Sequence, residues 1–232
     1  MDWQKIAYFL VGLFIGVVFH EYMHGRIADY LGDNTARKAG RLTLNPIPHI
    51  DPFGTILLPI ALILISRGTF SFGYAKPVPV NPYFMRKPRR DMALVALAGP
   101  VTNFVLAAVI TGIAAVLRLG FSLQFYVSPD GKLISGSGAV WADLFMLLAS
   151  VAVINVILGI FNLIPIPPLD GSHMLEYFLS PRATEVYETI GRYGFVIIFL
   201  FLLLLGDVFF GLMQPIFHLI ETGVFGSLIA VF

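Results

Sequence analysis

The sequence predicts an all-α polytopic membrane protein, a helical bundle that carries a small membrane-associated β-hairpin or re-entrant element. Composition is the first reason. Of the 232 residues, 57% are hydrophobic and only 12% are charged, and the mean hydropathy is +0.84, far from the balance of a soluble domain. The second reason is length, because several apolar stretches reach the roughly 20 residues that a spanning helix needs. We expect residues 1–232 to form one membrane-embedded domain.

Six apolar stretches follow one another along the chain: residues 6–23, 53–66, 92–117, 140–166, 193–206 and 208–232. The first is predicted to be a retained helix, because no small-residue cleavage site of a signal peptide follows it. The third and fourth stretches are long enough to span. The second is too short and is interrupted by Pro59, so we expect a re-entrant segment that makes no net crossing. The last two are separated by Asp207, and the sequence leaves open whether they cross once or twice.

The distribution of charge predicts the orientation in the membrane. Ten basic residues lie between Gly25 and Arg90, whereas the connection over residues 120–139 contains only Lys132. By the positive-inside rule, the first segment faces the cytoplasm and the N-terminus lies outside. The total charge is nearly balanced, with 15 Lys and Arg against 14 Asp and Glu. Nothing in this balance points to a nucleic-acid partner.

A metal-binding pattern lies at the end of the first apolar stretch. His20, Glu21 and His24 form an H-E-x-x-H run. Residues i and i+4 share one face of a helix, so two imidazoles can reach one ion while Glu21 stands beside them as a base. A catalytic zinc normally has three protein ligands and a water. The chain contains no cysteine, so the third ligand is expected to be a His, Asp or Glu.

Few ionisable residues lie near the remaining apolar stretches. The candidates for the third ligand are Asp143, Asp170, His173, Asp207, His218 and Glu221. Asp170 stands out because it follows Pro165, Pro167 and Pro168, which break the preceding helix where a membrane tolerates a break only beside a cavity or packed protein. The predicted topology also places Asp170 at the same end of the bundle as His20 and His24. The alternative is a turn or capping carboxylate before Gly171.

Together these residues resemble the site-2 protease family of intramembrane zinc metalloproteases. The matching segments are His20 to His24, Asn162 to Gly171, Asn45-Pro46 with His49 to Thr55, Gly73 to Pro82, and Ala98 to Pro100 with Asn103. The resemblance covers a catalytic core of about residues 6–190, followed by C-terminal apolar segments over residues 191–232. It implies that His20, His24 and Asp170 bind one catalytic Zn²⁺ and that Glu21 is the catalytic carboxylate. It also implies that Asn162 helps to hold the substrate or its oxyanion. Neither a PDZ domain nor a regulatory domain of the cystathionine-synthase type is visible in the sequence.

The function that we expect is hydrolysis of peptide bonds in or near transmembrane segments, by an integral membrane protein of a prokaryotic cell membrane with its site toward the cytoplasm. The partners are then a transmembrane protein or peptide substrate and the membrane lipids, while the oligomeric state stays open. Residues 69–80 are a candidate strand edge for an unwound substrate. The alternatives are an inactive membrane scaffold and a metal or proton transporter, although a transporter is expected to show internal repeats.

Several polar residues have simpler interpretations. Asn162 could form an interhelical hydrogen bond without a catalytic part. Gly99 and Asn103 are expected to permit close helix packing near the site. His173 is expected in a loop, and His49 and His218 are expected to be structural. The basic residues 86–90 are predicted to meet anionic lipid head groups.

Overall fold

The protein is described by a computed structural model over residues 3–57, 60–61, 64, 75–127 and 133–226. The α-helices in this part of the chain are α1 (Trp3–Tyr30), α2 (Thr35–Lys38), α3 (Pro88–Gly120), α4 (Ala139–Asn162), α5 (Asp170–Glu176), α6 (Pro181–Gly191) and α7 (Gly194–Phe225). Four of them, α1, α3, α4 and α7, are long and apolar enough to cross a membrane. The shortest has 24 residues, or about 36 Å at about 1.5 Å per residue, against a hydrocarbon core of about 30 Å. The predicted helical membrane fold is confirmed.

The first three spanning helices form the centre of the bundle. Helix α1 runs parallel to α4, since Gln4 donates to Asp143 near the start of both helices and Gly16 lies against Asn155 further along. Helix α3 runs the opposite way, because His20 contacts Asn103 whereas His24, one turn later in α1, contacts Val95, two turns earlier in α3. Helix α4 is the most buried of the spanning helices. The site described below lies where these three helices meet.

Because the end of α1 meets the start of α3, the intervening residues leave and return at the same end of the bundle. This agrees with the expectation that residues 53–66 make no net crossing. The described part of that stretch includes a π-helix over Pro52–Leu57, and its remaining residues are described only at 60–61 and 64. Short 3₁₀ helices over Ile47–His49 and Pro82–Phe84 flank this region.

The C-terminal apolar residues that the structure describes form one helix, which ends at Phe225. Helix α7 continues through Asp207 and Pro215 without a break, which answers the question of one crossing or two with a single span. It packs on α3 and α4 around a core that includes Phe145, Phe217 and Val224. Most of its other face is exposed leucine, phenylalanine and valine, as expected for contact with lipid.

The described residues include a β-hairpin in a connection where the sequence analysis had not predicted one. Strands β1 (Phe125–Val127) and β2 (Leu133–Ser135) pair antiparallel, with Tyr126 opposite Ile134, in the connection between α3 and α4. Of the candidate edge over residues 69–80, residues 69–74 fall outside the described residues, and residues 75–80 have no regular secondary structure.

Candidate metal centre

The structure brings together three side chains that the sequence had singled out. The Nε2 atom of His20 lies 3.0 Å from Oδ2 of Asp170, and Nε2 of His24 lies 3.3 Å from Oδ1 of the same carboxylate. One ligand atom from each residue lies within 4.8 Å of the others. Tetrahedral ligands about 2.0 to 2.2 Å from one ion are themselves about 3.3 to 3.6 Å apart. The three donors are therefore spaced for a single metal ion.

The other ring nitrogen of His20 is held by a buried amide network. Nδ1 lies 2.6 Å from the side-chain oxygen of Asn103. The Asn103 amide nitrogen donates to the Gly16 carbonyl at 3.1 Å and to the side-chain oxygen of Asn155 at 2.8 Å. Both asparagines are completely buried. The Asn103 side-chain oxygen can only accept a hydrogen bond. The proton shared with His20 therefore lies on Nδ1 of the imidazole.

His24 is oriented by the backbone of α3. Its Nδ1 lies 2.7 Å from the carbonyl oxygen of Val95, and a carbonyl can only accept, so this nitrogen also carries the proton. In the neutral imidazoles, both Nε2 atoms then present lone pairs toward Asp170. Metal-bound histidines normally have such an outer partner, which fixes the tautomer and the ring orientation.

The facing atoms are all acceptors, and they repel one another unless a cation lies between them. Two imidazole lone pairs and a carboxylate converge, and Oδ2 of Asp170 is buried without a hydrogen-bond donor. An aspartate carboxyl is ordinarily ionised at neutral pH, and the ionised carboxylate is the form that binds metals. The donor set of two nitrogens and one oxygen suits zinc.

Gly99 makes room for this cluster. A Cβ atom at position 99 would lie 2.5 Å from Cε1 of His20 and 2.5 Å from Nε2 of His24, closer than any side-chain carbon can approach. Val95, Gly99 and Asn103 are spaced four residues apart in α3, so one face of this helix supplies the carbonyl, the space and the amide. The expectation that Gly99 permits close packing agrees with this geometry, while Asn103 also contacts a proposed ligand.

Two connections position Asp170 and Glu21. Helix α4 ends at Asn162, and after the proline-containing connection Asp170 opens the seven-residue helix α5, which packs on α3. Glu21 neighbours His20 in α1, and its Oε2 accepts a hydrogen bond from the backbone N–H of Val78 at 2.7 Å. The catalytic carboxylate that the resemblance implied thus lies beside the cluster in sequence and is held by a loop.

Comparison with known proteins places the chain in a family. The sequence pattern of peptidase family M50 matches residues 8–205, most of the chain. The chain belongs to peptidase family M50. This confirms the resemblance to site-2 proteases, and the M50 relatives support the zinc assignment.

Three curated relatives of this M50 protein are named as candidate zinc metalloproteases. YwhC of Bacillus subtilis (strain 168) is 37% identical over 83% of this chain and 78% of its own length. Rip2 of Mycobacterium tuberculosis (strain ATCC 25618 / H37Rv) is 30% identical over 90% of this chain and 73% of its own length. Rip2 of Mycolicibacterium smegmatis (strain ATCC 700084 / mc(2)155) is 29% identical over 84% of this chain and 66% of its own length. The search of solved structures found no match.

The other candidate residues of the M50 protein are not members of the three-residue group and have partners of their own. Asn162 is half-buried, and its amide nitrogen donates to the Leu158 carbonyl of its own helix at 3.0 Å. His173, expected in a loop, lies in α5 with Nδ1 3.1 Å from Oε2 of Glu176. Asp143 accepts from Gln4, and His218 neighbours Glu221 in α7. Within the described residues, His20, His24 and Asp170 form the one group of metal-ligand type.

Some supporting groups were not found from the sequence. Asn155 was missed, although an asparagine inside an apolar spanning helix is itself a signal, since a buried amide requires partners. The Val95 carbonyl and the Val78 N–H carry no side-chain signal, because any residue provides these backbone atoms.

Proposed function

We propose that this M50 protein is an integral membrane zinc endopeptidase that hydrolyses peptide bonds in or near transmembrane segments. The observation that carries the proposal is the convergence of three buried acceptors, from His20, His24 and Asp170, beside the carboxylate-bearing residue Glu21. A scaffold has no need for two imidazoles, each held in one tautomer, that face a carboxylate. The coarser assignment as a metalloprotease of family M50 agrees with its relatives.

The proposed roles follow from the chemistry of the groups. Zinc at this site would supply a lowered water pKa of about 7 and polarisation of the scissile carbonyl. Glu21 accepts the proton of the attacking water and later delivers it to the leaving amine. Asn162 has a second amide N–H besides the one directed to Leu158, and we propose that this donor contacts the substrate or its oxyanion.

The membrane setting supports a substrate that lies in the bilayer. His20 and His24 lie on a helix of spanning length that packs against α3 and α4, and we propose that a peptide reaches them from within the bilayer. A transmembrane helix hides its carbonyls in i to i−4 hydrogen bonds and must unwind locally before attack. From the excess of basic residues between α1 and α3, we propose that the site faces the cytoplasm of a prokaryotic cell.

The decisive experiment separates metal binding from proton transfer. Glu21→Gln keeps the size of the side chain but removes the base, so we expect cleavage of single-pass membrane substrates in liposomes to fall by about 10² to 10⁴-fold. Zinc content, measured on the purified protein by elemental analysis, stays at one ion per chain. Glu188→Gln on the exposed surface of α6 makes the same chemical change and serves as the matched control.

The two alternatives give different results in the same preparation. An inactive scaffold binds zinc or lacks it but cleaves no member of the substrate panel, even before substitution. A transporter moves zinc or protons into sealed liposomes, and Glu21→Gln alters that flux. Cleavage that persists in Glu21→Gln would remove Glu21 from its role.

A further inference from the structure

Residues 75–81, which we call the strap, cross over the end of α1 that carries Glu21. Their sequence is Ala-Lys-Pro-Val-Pro-Val-Asn, followed by Pro82. Prolines fix their own φ and restrict the residue before them to extended conformations. Lys76, Val78 and Asn81 each precede a proline, so the strap is stiff before it makes any contact.

Side chains and carbonyls from three places anchor the strap. The Lys76 N–H donates to the His49 carbonyl at 3.0 Å, and the Arg41 guanidinium donates to the Lys76 carbonyl at 2.7 Å. At the other end, the Asn81 N–H donates to Oδ2 of Asp33 at 2.6 Å. Asp33 is completely buried. The strap is consequently held on both sides of Val78.

Val78 lies between these anchors and meets Glu21. Its side chain is 6% exposed and packs where a Cβ on Gly25, one turn beyond Glu21, would be 3.0 Å from its Cγ1. Its N–H donates to Oε2 of Glu21 at 2.7 Å, the short distance of a hydrogen bond to a charged acceptor. Pro77 and Pro79 have no N–H, so Val78 provides the one amide between Lys76 and Val80.

We propose that the Val78 amide is a positioning group for the catalytic carboxylate. By holding Oε2, it fixes the rotamer of Glu21 and leaves Oε1 to accept the proton of the attacking water. An orientation fixed before the reaction lowers the entropy that must be lost on reaching the transition state. This inference rests on the proposed function, because it assigns Glu21 its role as the base.

The same contacts restrict the part that the strap can play in binding substrate. The amides of Lys76, Val78 and Asn81 donate within the protein, and residues 77 and 79 have none. A strand edge for an incoming peptide needs amides and carbonyls that are both available. Within residues 76–79 no amide is then available to an unwound substrate, and this part of the strap is a support for Glu21.

Two substitutions of Val78 test the positioning role. Val78→Pro removes the N–H while keeping a compact apolar ring, whereas Val78→Ala shortens the side chain and keeps the N–H. We expect Val78→Pro to lower kcat at least 10-fold more than Val78→Ala, with KM and zinc content equal in the two variants. Equal kcat values, or a loss expressed in KM or zinc content, would overturn the proposal.

A measurement without catalysis tests the contact itself. Amide hydrogen exchange resolved residue by residue by NMR reports the Val78 amide separately from those of Lys76, Val80 and Asn81. In Glu21→Ala we expect exchange at Val78 to accelerate at least 10-fold, while the Asn81 amide, held by Asp33, keeps its wild-type rate. Unchanged exchange at Val78 would refute the positioning role. Accelerated exchange in a protein that cleaves none of the substrates would support the contact and refute the proposed function instead.

Discussion

Gly99 sets how closely α3 approaches the two imidazoles. Its missing side chain leaves the space in which both Nε2 atoms lie, and the residues one turn to either side, Val95 and Asn103, orient the rings. Three positions of one helix face therefore determine the geometry of ligands that belong to another helix. Substitutions on this face are expected to change metal binding without touching a ligand.

Gly99→Ala is the first such substitution. The added methyl group would lie 2.5 Å from both imidazoles, so the rings must leave the hydrogen bonds that hold them. We expect zinc affinity to fall by more than about 10-fold, the low end of the cost of disturbing outer-shell partners. Competition with a chromogenic chelator measures it. Gly112→Ala, in the same helix with nothing within 4 Å of the new Cβ, is the control, and equal affinities in the two variants would contradict the prediction.

Asn103→Ala removes the acceptor of the His20 ring proton. His20 then loses the partner that fixes its tautomer, and the Asn155 oxygen loses its donor. Loss of an outer-shell partner typically costs about 10- to 100-fold in metal affinity, and we expect a decrease in that range by the same chelator competition. Thermal unfolding of the metal-free protein separates this effect from a loss of fold. An unchanged affinity would show that the network is merely structural.

At the scale of the residue, the sequence predicted the side chains of the candidate metal centre better than the hydrogen-bonding groups that orient them. His20, Glu21, His24 and Asp170 stand out because charged and metal-binding side chains are rare in apolar segments. Asn103 was interpreted as a packing residue and Asn155 was missed, since the partners of a buried amide depend on how the helices are rotated. The carbonyl of Val95 becomes specific only through the fold.

Helix α5 shows how a short element positions a distant ligand. Its seven residues begin at Asp170 and are tied to α3 at the other end by Arg89, whose guanidinium donates to the carbonyls of Glu176 and Leu179 at 2.8 and 2.6 Å. A cation at a helix C-terminus also stabilises the helix through its dipole. Arg89 thus donates to protein carbonyls, and Arg90 pairs with Asp91.

Replacement of Arg89 tests this tie between helices. Arg89→Ala leaves two carbonyls without their donor, and we expect the free energy of unfolding to decrease by about 1 to 3 kcal/mol, the cost of losing a charged hydrogen-bond partner. Zinc affinity falls with it, because Asp170 is held less firmly. Arg86→Ala removes the same charge from an exposed side chain nearby and is the control for both readouts, chemical denaturation and chelator competition.

Among the elements, the spanning helices were predictable because length and hydropathy suffice to identify them. The described hairpin of Phe125–Val127 and Leu133–Ser135 was not predicted, because such short strands are set by local pairing after a helix end. The strand edge over residues 69–80 stays a prediction, since residues 69–74 lie outside the described residues. The sequence also left open whether one helix passes through Asp207. A lone acidic residue does not by itself end a helix, and packing on α3 and α4 keeps α7 continuous at this position.

At the scale of the molecule, the part of the chain that the structure describes has four spanning helices. With four crossings, the start of α1 and the end of α7 lie on the same side, away from the metal centre. The charge rule assigns that side to the exterior. The natural chain contains no cysteine, so single cysteines report topology without background. We expect a membrane-impermeant maleimide to label Ser137→Cys in intact cells, and Lys38→Cys only after permeabilisation. The opposite pattern would place the site on the outer face.

The binding cluster draws on positions 20, 24 and 170, and this has a consequence for biogenesis. A nascent chain that has emerged only as far as its second hydrophobic crossing displays a pair of imidazoles but lacks the carboxylate. Capture of the ion must then wait until the third crossing is inserted and docked. Under the proposed function, hydrolysis is therefore excluded until the carboxylate that follows the third of the four described crossings has joined the imidazole pair.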